Sequence, residues 1–104
     1  MQSNFNELIK GKTPVLIDFY ADWCAPCKMM PPILKEVKAE LGDAIRIVKI
    51  DSDKNQQVAS MLQIRSIPTL ILFKEGNVIW RQSGVVPAAQ LISILKEHVQ
   101  ATSE

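Results

Sequence analysis

The chain has two cysteines, Cys24 and Cys27, and both lie in the stretch ADWCAPCK, residues 21–28. Sulfur placed this way supports three chemistries: a structural disulfide, half of a metal site, or a dithiol that cycles between oxidised and reduced forms. A structural zinc site takes about four ligands, mostly Cys and His. The chain adds one histidine, His98, and no second cysteine pair. Carboxylates could complete such a site, but no spacing places them. A permanent disulfide is uncommon in compartments that keep thiols reduced. The redox reading fits the pattern best. A Cys-x-x-Cys between a strand and a helix puts the first thiol at the helix N-terminus, where unpaired N–H groups and the dipole favour a thiolate. The thiolate is the attacking species. The short spacing holds Cys27 close enough to resolve a mixed disulfide within the molecule. Pro26 suits a first helical turn.

The elements that must position this pair are legible on either side of it. Asn4 followed by Glu7 is a capping pattern, expected to open a short helix with Phe5, Leu8 and Ile9 on one side, ending at Gly11. Residues 14–20, PVLIDFY, are short, apolar and rich in β-branched and aromatic side chains, the pattern of a strand buried on both faces. Met30, Ile33, Leu34, Val37 and Leu41 recur at helical spacing before Gly42. Residues 44–50 read as a second strand, 55–63 as a short helix and 68–73 as a third strand. KEGN reads as the turn of a hairpin whose far strand is VIWRQSG. Pro87 introduces a last helix that turns Ala88, Leu91, Ile92, Leu95 and Val99 to the core. Strands alternating with helices predict an α/β fold with a parallel portion and an antiparallel hairpin edge.

A chain of 104 residues with 47% hydrophobic and 22% charged residues fits one domain, expected over 1–104, with a core of its own. The formal net charge of +1 sets up no strong field towards nucleic acid or a membrane surface. No apolar run approaches the roughly 20 residues that span a bilayer. The N-terminal run is not a secretory signal, since Asp18 interrupts its first apolar stretch. The expected location is cytoplasmic.

WCAPCK after the strand end DFYAD, IRSIPTLILFKEG downstream and QSG before the last helix together resemble the thioredoxin family. The likeness runs without an internal gap from about Val15 to His98, and its motifs keep their mutual spacing. It implies a thioredoxin fold, a central mixed four-stranded sheet flanked by helices on both faces. The family's extra N-terminal strand is expected to be truncated or absent, because only residues 1–3 precede the first helix. Pro31 and Pro32 fall in the helix after the cysteines, so the residues alone allow a start at Pro26 or at Pro31. The resemblance implies a continuous, kinked helix from Pro26.

The resemblance also assigns roles. Asp18, on its residues alone either a solvated strand-end carboxylate or a buried acid of raised pKa, matches the family's buried aspartate, which takes the proton of Cys27 through water. Lys49, otherwise a solvated strand lysine, would lie near Asp18 and oppose the upward shift. Pro68, otherwise a strand-start proline, would be cis and face the cysteines. Ile67 beside it would pair its backbone with an extended target segment. Trp23, otherwise a cap on the core, would join Ala25, Pro26, Ile67, Pro68, Gly84 and Val85 in an apolar contact rim. Ser52 and Ser83 stand at rim positions that are usually apolar, and Ala25 where glycine is usual. Trp80 matches no functional position and reads as sheet packing.

The function implied is general protein-disulfide reduction. Cys24 attacks a target disulfide and Cys27 resolves the adduct. No dinucleotide fingerprint is present, so no bound cofactor is expected. An NADPH-dependent flavoprotein, thioredoxin reductase, would recharge the pair. Disulfide-containing client proteins would be the partners, without nucleic acid or membrane, and a monomer is expected. An oxidase or isomerase of shifted redox poise, and a binding subunit that uses the same surface without turnover, are the alternatives.

Overall fold

β1 (Val15–Tyr20) is the strand on which both layers of the core are built, and Val15 through Phe19 are all buried along it. The computed structural model describes the backbone of residues 2–102 and the side chains of residues 4–99. Beside β1 lie β2 (Arg46–Asp51) on one edge and β3 (Thr69–Lys74) on the other, with β4 (Asn77–Ser83) outermost, in the order β2-β1-β3-β4. β1 runs parallel to β2 and antiparallel to β3, and β3 runs antiparallel to β4. The β3–β4 turn sets Glu75 and Gly76 both at positive φ, as a tight hairpin of this hand requires.

Side chains alternate across a strand, so β1 serves two layers. Val15, Ile17 and Phe19 pack with Phe5 and Ile9 of α1 (Gln2–Ile9) and Val58 of α3 (Gln56–Met61). Leu16 packs with Met30, Leu34 and Val37 of α2 (Met30–Leu41) and with Leu91 and Leu95 of α4 (Ala88–Thr102). The architecture is the expected one: an α/β fold with a mixed four-stranded sheet between two helical layers. Trp80 packs against the α2–α4 layer, as its sheet role required.

Two local readings change. The first helix already runs from Gln2, so Asn4 lies inside it and does not cap it. The segment after Cys24 is helical from Pro26, but Pro26–Met29 is a 3₁₀ turn and the α-helix starts only at Met30. Pro31 and Pro32 cause this. They have no N–H to donate to the carbonyls of Cys27 and Lys28, so the preceding turn closes with tighter bonds. Met30 N–H donates to the Cys27 carbonyl, and Lys28 N–H donates to Ala25 at 3.1 Å. Both prolines then fall in the first turn of α2, where a missing N–H costs little. Among the described residues no strand precedes α1.

Candidate active site

The end of β1 delivers the chain into the cysteine turn. Cys24 N–H donates to the Ala21 carbonyl at 3.1 Å, and the backbone adopts right-handed helical angles at Ala25, Met29 and Met30. Cys24 and Cys27 are joined as a disulfide with Cα atoms 5.3 Å apart. The Cys27 backbone N–H points at Cys24 Sγ, 3.2 Å away. An unpaired N–H at the start of a helical segment therefore faces the first sulfur, the arrangement that stabilises negative charge there. Cys24, Cys27 and Ala21 form a small buried cluster with Tyr20 and Ile67 packed against it.

The Ile67–Pro68 peptide is cis, and the Ile67 carbonyl oxygen lies 3.7 Å from Cys24 Sγ. Pro68 is buried, and its own carbonyl accepts the Gly84 N–H at 2.7 Å. Gly84 sits at φ +92°, a conformation that glycine tolerates best. Trp23 is 71% exposed, which rules out the core-cap reading. Its indole N–H donates to Asp53 Oδ2 at 2.8 Å. Asp53 is the partner that sequence reasoning missed, and no spacing pattern signals a pair 30 residues apart.

A groove of about 670 Å³ opens beside the disulfide and brings together Trp23, Cys24, Ala25, Pro26 and Ile67. Ser52, Asp53, Gln56, Ala59, Ser60, Ile64, Arg65 and Ser66 complete the lining, so polar side chains are mixed with apolar ones around it. Pro68, Gly84 and Val85 do not line this groove. Val85 is half-buried against the α2–α4 core. The two rim serines differ: Ser83 Oγ lies 3.1 Å from Thr69 Oγ1, whereas Ser52 Oγ is buried with no hydrogen-bond partner.

Asp18 is fully buried, and neither carboxylate oxygen has a hydrogen-bond partner. It is the cross-strand partner of Lys49 on β2 and of Leu70 on β3. Leu70 belongs to the layer covered by α2, the helix that continues the Cys27 turn. Desolvation raises the Asp18 pKa from 3.8 to about 6, and the Lys49 charge partly opposes it. Lys49 is exposed, with Nζ 4.7 Å from the centroid of the Tyr20 ring. Among the described residues no group of three or more His, Cys, Asp and Glu lies where it could hold a metal ion.

A disulfide-bonded cysteine pair at the end of a central strand, with a helical N–H on the first sulfur and a buried acid in the layer behind, is a site for thiol–disulfide exchange. Comparison with known proteins agrees. A family model for thioredoxin matches residues 1–97. A thioredoxin-like protein of Synechocystis sp. is 51% identical over 98 residues, covering 93% of this chain and 93% of that protein. The chloroplastic thioredoxin Y of Oryza sativa subsp. japonica is 48% identical over 99 residues, 94% of this chain but 59% of the rice protein. The crystal structure of oxidised mitochondrial thioredoxin 3 from Saccharomyces cerevisiae matches with a TM-score of 0.79 at 34% identity, covering 96% of this chain and 89% of that one. The chain belongs to the thioredoxin family. It is a thiol–disulfide oxidoreductase, a protein-disulfide reductase acting on disulfide-containing targets, with Cys24 and Cys27 as its redox pair. No helix among the described residues is long and apolar enough to cross a membrane.

Proposed function

We propose that the two cysteines have unequal roles in this reduction. In the reduced protein the Cys24 thiolate attacks one sulfur of a target disulfide. A Cys24–target disulfide forms and one target thiolate leaves. Cys27 then gives its proton to the Asp18 carboxylate through a water, and its thiolate attacks Cys24 Sγ. The second target thiolate leaves, the target has gained two electrons, and Cys24–Cys27 is oxidised. The observation that carries this reading is the asymmetry of the pair. Cys24 lines the groove and receives the Cys27 N–H, while Cys27 stays out of the groove.

Asp18 serves as the proton acceptor because burial brings its pKa to about 6, near the working range of a general base. Lys49 keeps that value from rising further. Trp23, Ala25, Pro26, Ile67, Pro68, Gly84 and Val85 form the contact surface, with the Ile67 backbone pairing with an extended target segment. The whole chain, 1–104, acts as one monomeric domain with no bound cofactor. A flavoprotein thioredoxin reductase returns it to the dithiol with electrons from NADPH. Turnover requires a compartment that supplies reducing equivalents, which supports a cytoplasmic setting. The test is reduction of a protein disulfide in the presence of NADPH and a thioredoxin reductase. Catalytic NADPH oxidation that needs this protein supports the reading, and none above the protein-free control overturns it.

A further inference from the structure

The turn between α3 and β3 contains a residue in a conformation that its side chain does not favour. Gln63 has φ +56°, the left-handed region in which a Cβ crowds the backbone. It ends α3 in a Schellman arrangement: Ile64 N–H donates to the Ala59 carbonyl at 2.9 Å, and Gln63 N–H donates to the Ser60 carbonyl at 3.0 Å. Glycine is the usual residue at such a position, so with Gln63 there the turn gains from any further tie. Arg81, on the outermost strand β4, reaches this turn from outside. Its Nη1 donates to the Leu62 carbonyl at 2.5 Å and its Nη2 to the Gln63 carbonyl at 2.9 Å. A guanidinium is suited to this because its two terminal amino groups are fixed in one plane and satisfy two adjacent carbonyls at once. A lysine ammonium has no such fork.

The far end of the same segment is also tied. Thr69 Oγ1 donates to the Ser66 carbonyl at 2.6 Å. Between the two ties run Ile64, Arg65, Ser66 and Ile67, which form one wall of the groove, and the Ile67 carbonyl stands 3.7 Å from Cys24 Sγ. Arg81 does not line the groove itself. We propose that Arg81 is a positioning residue for target docking: its fork on the Leu62 and Gln63 carbonyls holds the 64–67 wall where an extended target segment adds to the Ile67 backbone. This rests on the docking mode proposed above. It adds a residue remote from the cysteines that sets target affinity and leaves the exchange chemistry alone.

The experiment compares Arg81→Met, Arg81→Lys and the double variant Arg81→Met with Gln63→Gly, all in the full chain. Three quantities are read: KM and kcat for insulin reduction, the rate with a small aromatic disulfide that needs no docking, and amide hydrogen exchange at Ile64. Arg81→Met raises the insulin KM about fivefold, with kcat and the small-disulfide rate within about twofold of wild type. Ile64 exchanges about tenfold faster, because its bond to Ala59 opens more often. Arg81→Lys falls between the two. Gln63→Gly removes the conformational penalty and brings both the KM and the exchange rate of Arg81→Met back towards wild type. Wild-type KM and exchange in Arg81→Met would overturn the proposal, as would a small-disulfide rate that falls in step with insulin. Faster exchange with an unchanged KM would show a clamp without a docking role, and so would also overturn it. A wild-type protein unable to reduce either disulfide would instead remove the proposed function, a failure visible before any variant is made.

Discussion

The Ile67 carbonyl oxygen stands 3.7 Å from Cys24 Sγ, although 43 residues separate the two in the chain. Two elements bring them together. β1 delivers the cysteine turn at one end of the sheet, and β3, its antiparallel neighbour, begins at Thr69 just after the cis Ile67–Pro68 peptide. Phe19 of β1 pairs with Thr69, so the register of the central strands fixes the distance between the redox sulfur and the backbone beside it.

Cys24→Ser abolishes reduction of a protein disulfide, because no attacking thiolate remains. Cys27→Ser stalls after the first exchange and accumulates as a covalent adduct with its target. Non-reducing electrophoresis and mass spectrometry read both outcomes. Full activity of Cys24→Ser, or no trapped adduct with Cys27→Ser, contradicts the assigned order of attack.

Asp18→Asn makes the oxidised protein more stable at neutral pH. The folded protein keeps the Asp18 proton up to about pH 6, whereas the unfolded chain releases it near 3.8. Wild-type stability therefore declines as pH rises from 3.8 to about 6, and the decline is complete above that window. The cost is on the order of 3 kcal/mol, at about 1.4 kcal/mol for each tenfold change in acidity. Denaturant titrations should superpose for the two proteins at a pH of about 3 and diverge by that amount at about 8. Equal stability at both pH values would show that Asp18 is not an uncompensated buried charge. The same variant slows resolution by Cys27 about tenfold, since its proton acceptor is gone.

Ser52→Ala should raise stability by about 1 kcal/mol, because it removes a buried hydroxyl with no partner. Thermal unfolding checks this. A lower Tm would mean that the hydroxyl is satisfied in solution.

Asp53→Ala frees the Trp23 indole, while Asp53→Asn keeps an acceptor for its N–H. Trp23 is 71% exposed, so the stability change stays within about 1 kcal/mol in either case. The target KM should rise severalfold in Asp53→Ala and little in Asp53→Asn. Intrinsic fluorescence reports the change around the indole. Identical KM values for the two variants would remove the hydrogen bond from any role in docking.

Phe19→Ala empties a fully buried position between β1 and α3 and should cost about 3–5 kcal/mol. Denaturant midpoints measure it, and a loss below about 1 kcal/mol would mean that the surrounding core collapses into the space.

The chemistry and the alternation of elements can be read from the residues alone. Two cysteines spaced by Ala25 and Pro26 after an apolar run can be read locally, because strand and helix periodicities are local properties. The residues left Asp18 open between a solvated and a buried acid, and they read Trp23 as a core cap where the family resemblance implied an exposed surface. Burial decides both, and burial exists only once other elements have packed. The residues alone also left the helix start open between Pro26 and Pro31, and the fold divides the two, with a 3₁₀ turn from Pro26 and the α-helix from Met30. Asp53 under Trp23, the Arg81 fork on the α3 terminus and the Ile67 carbonyl beside Cys24 could not be read at all. Each joins residues 18 to 43 positions apart, so the distance between them is set by strand register and loop path. Those are properties of the assembled sheet and not of any window along the chain.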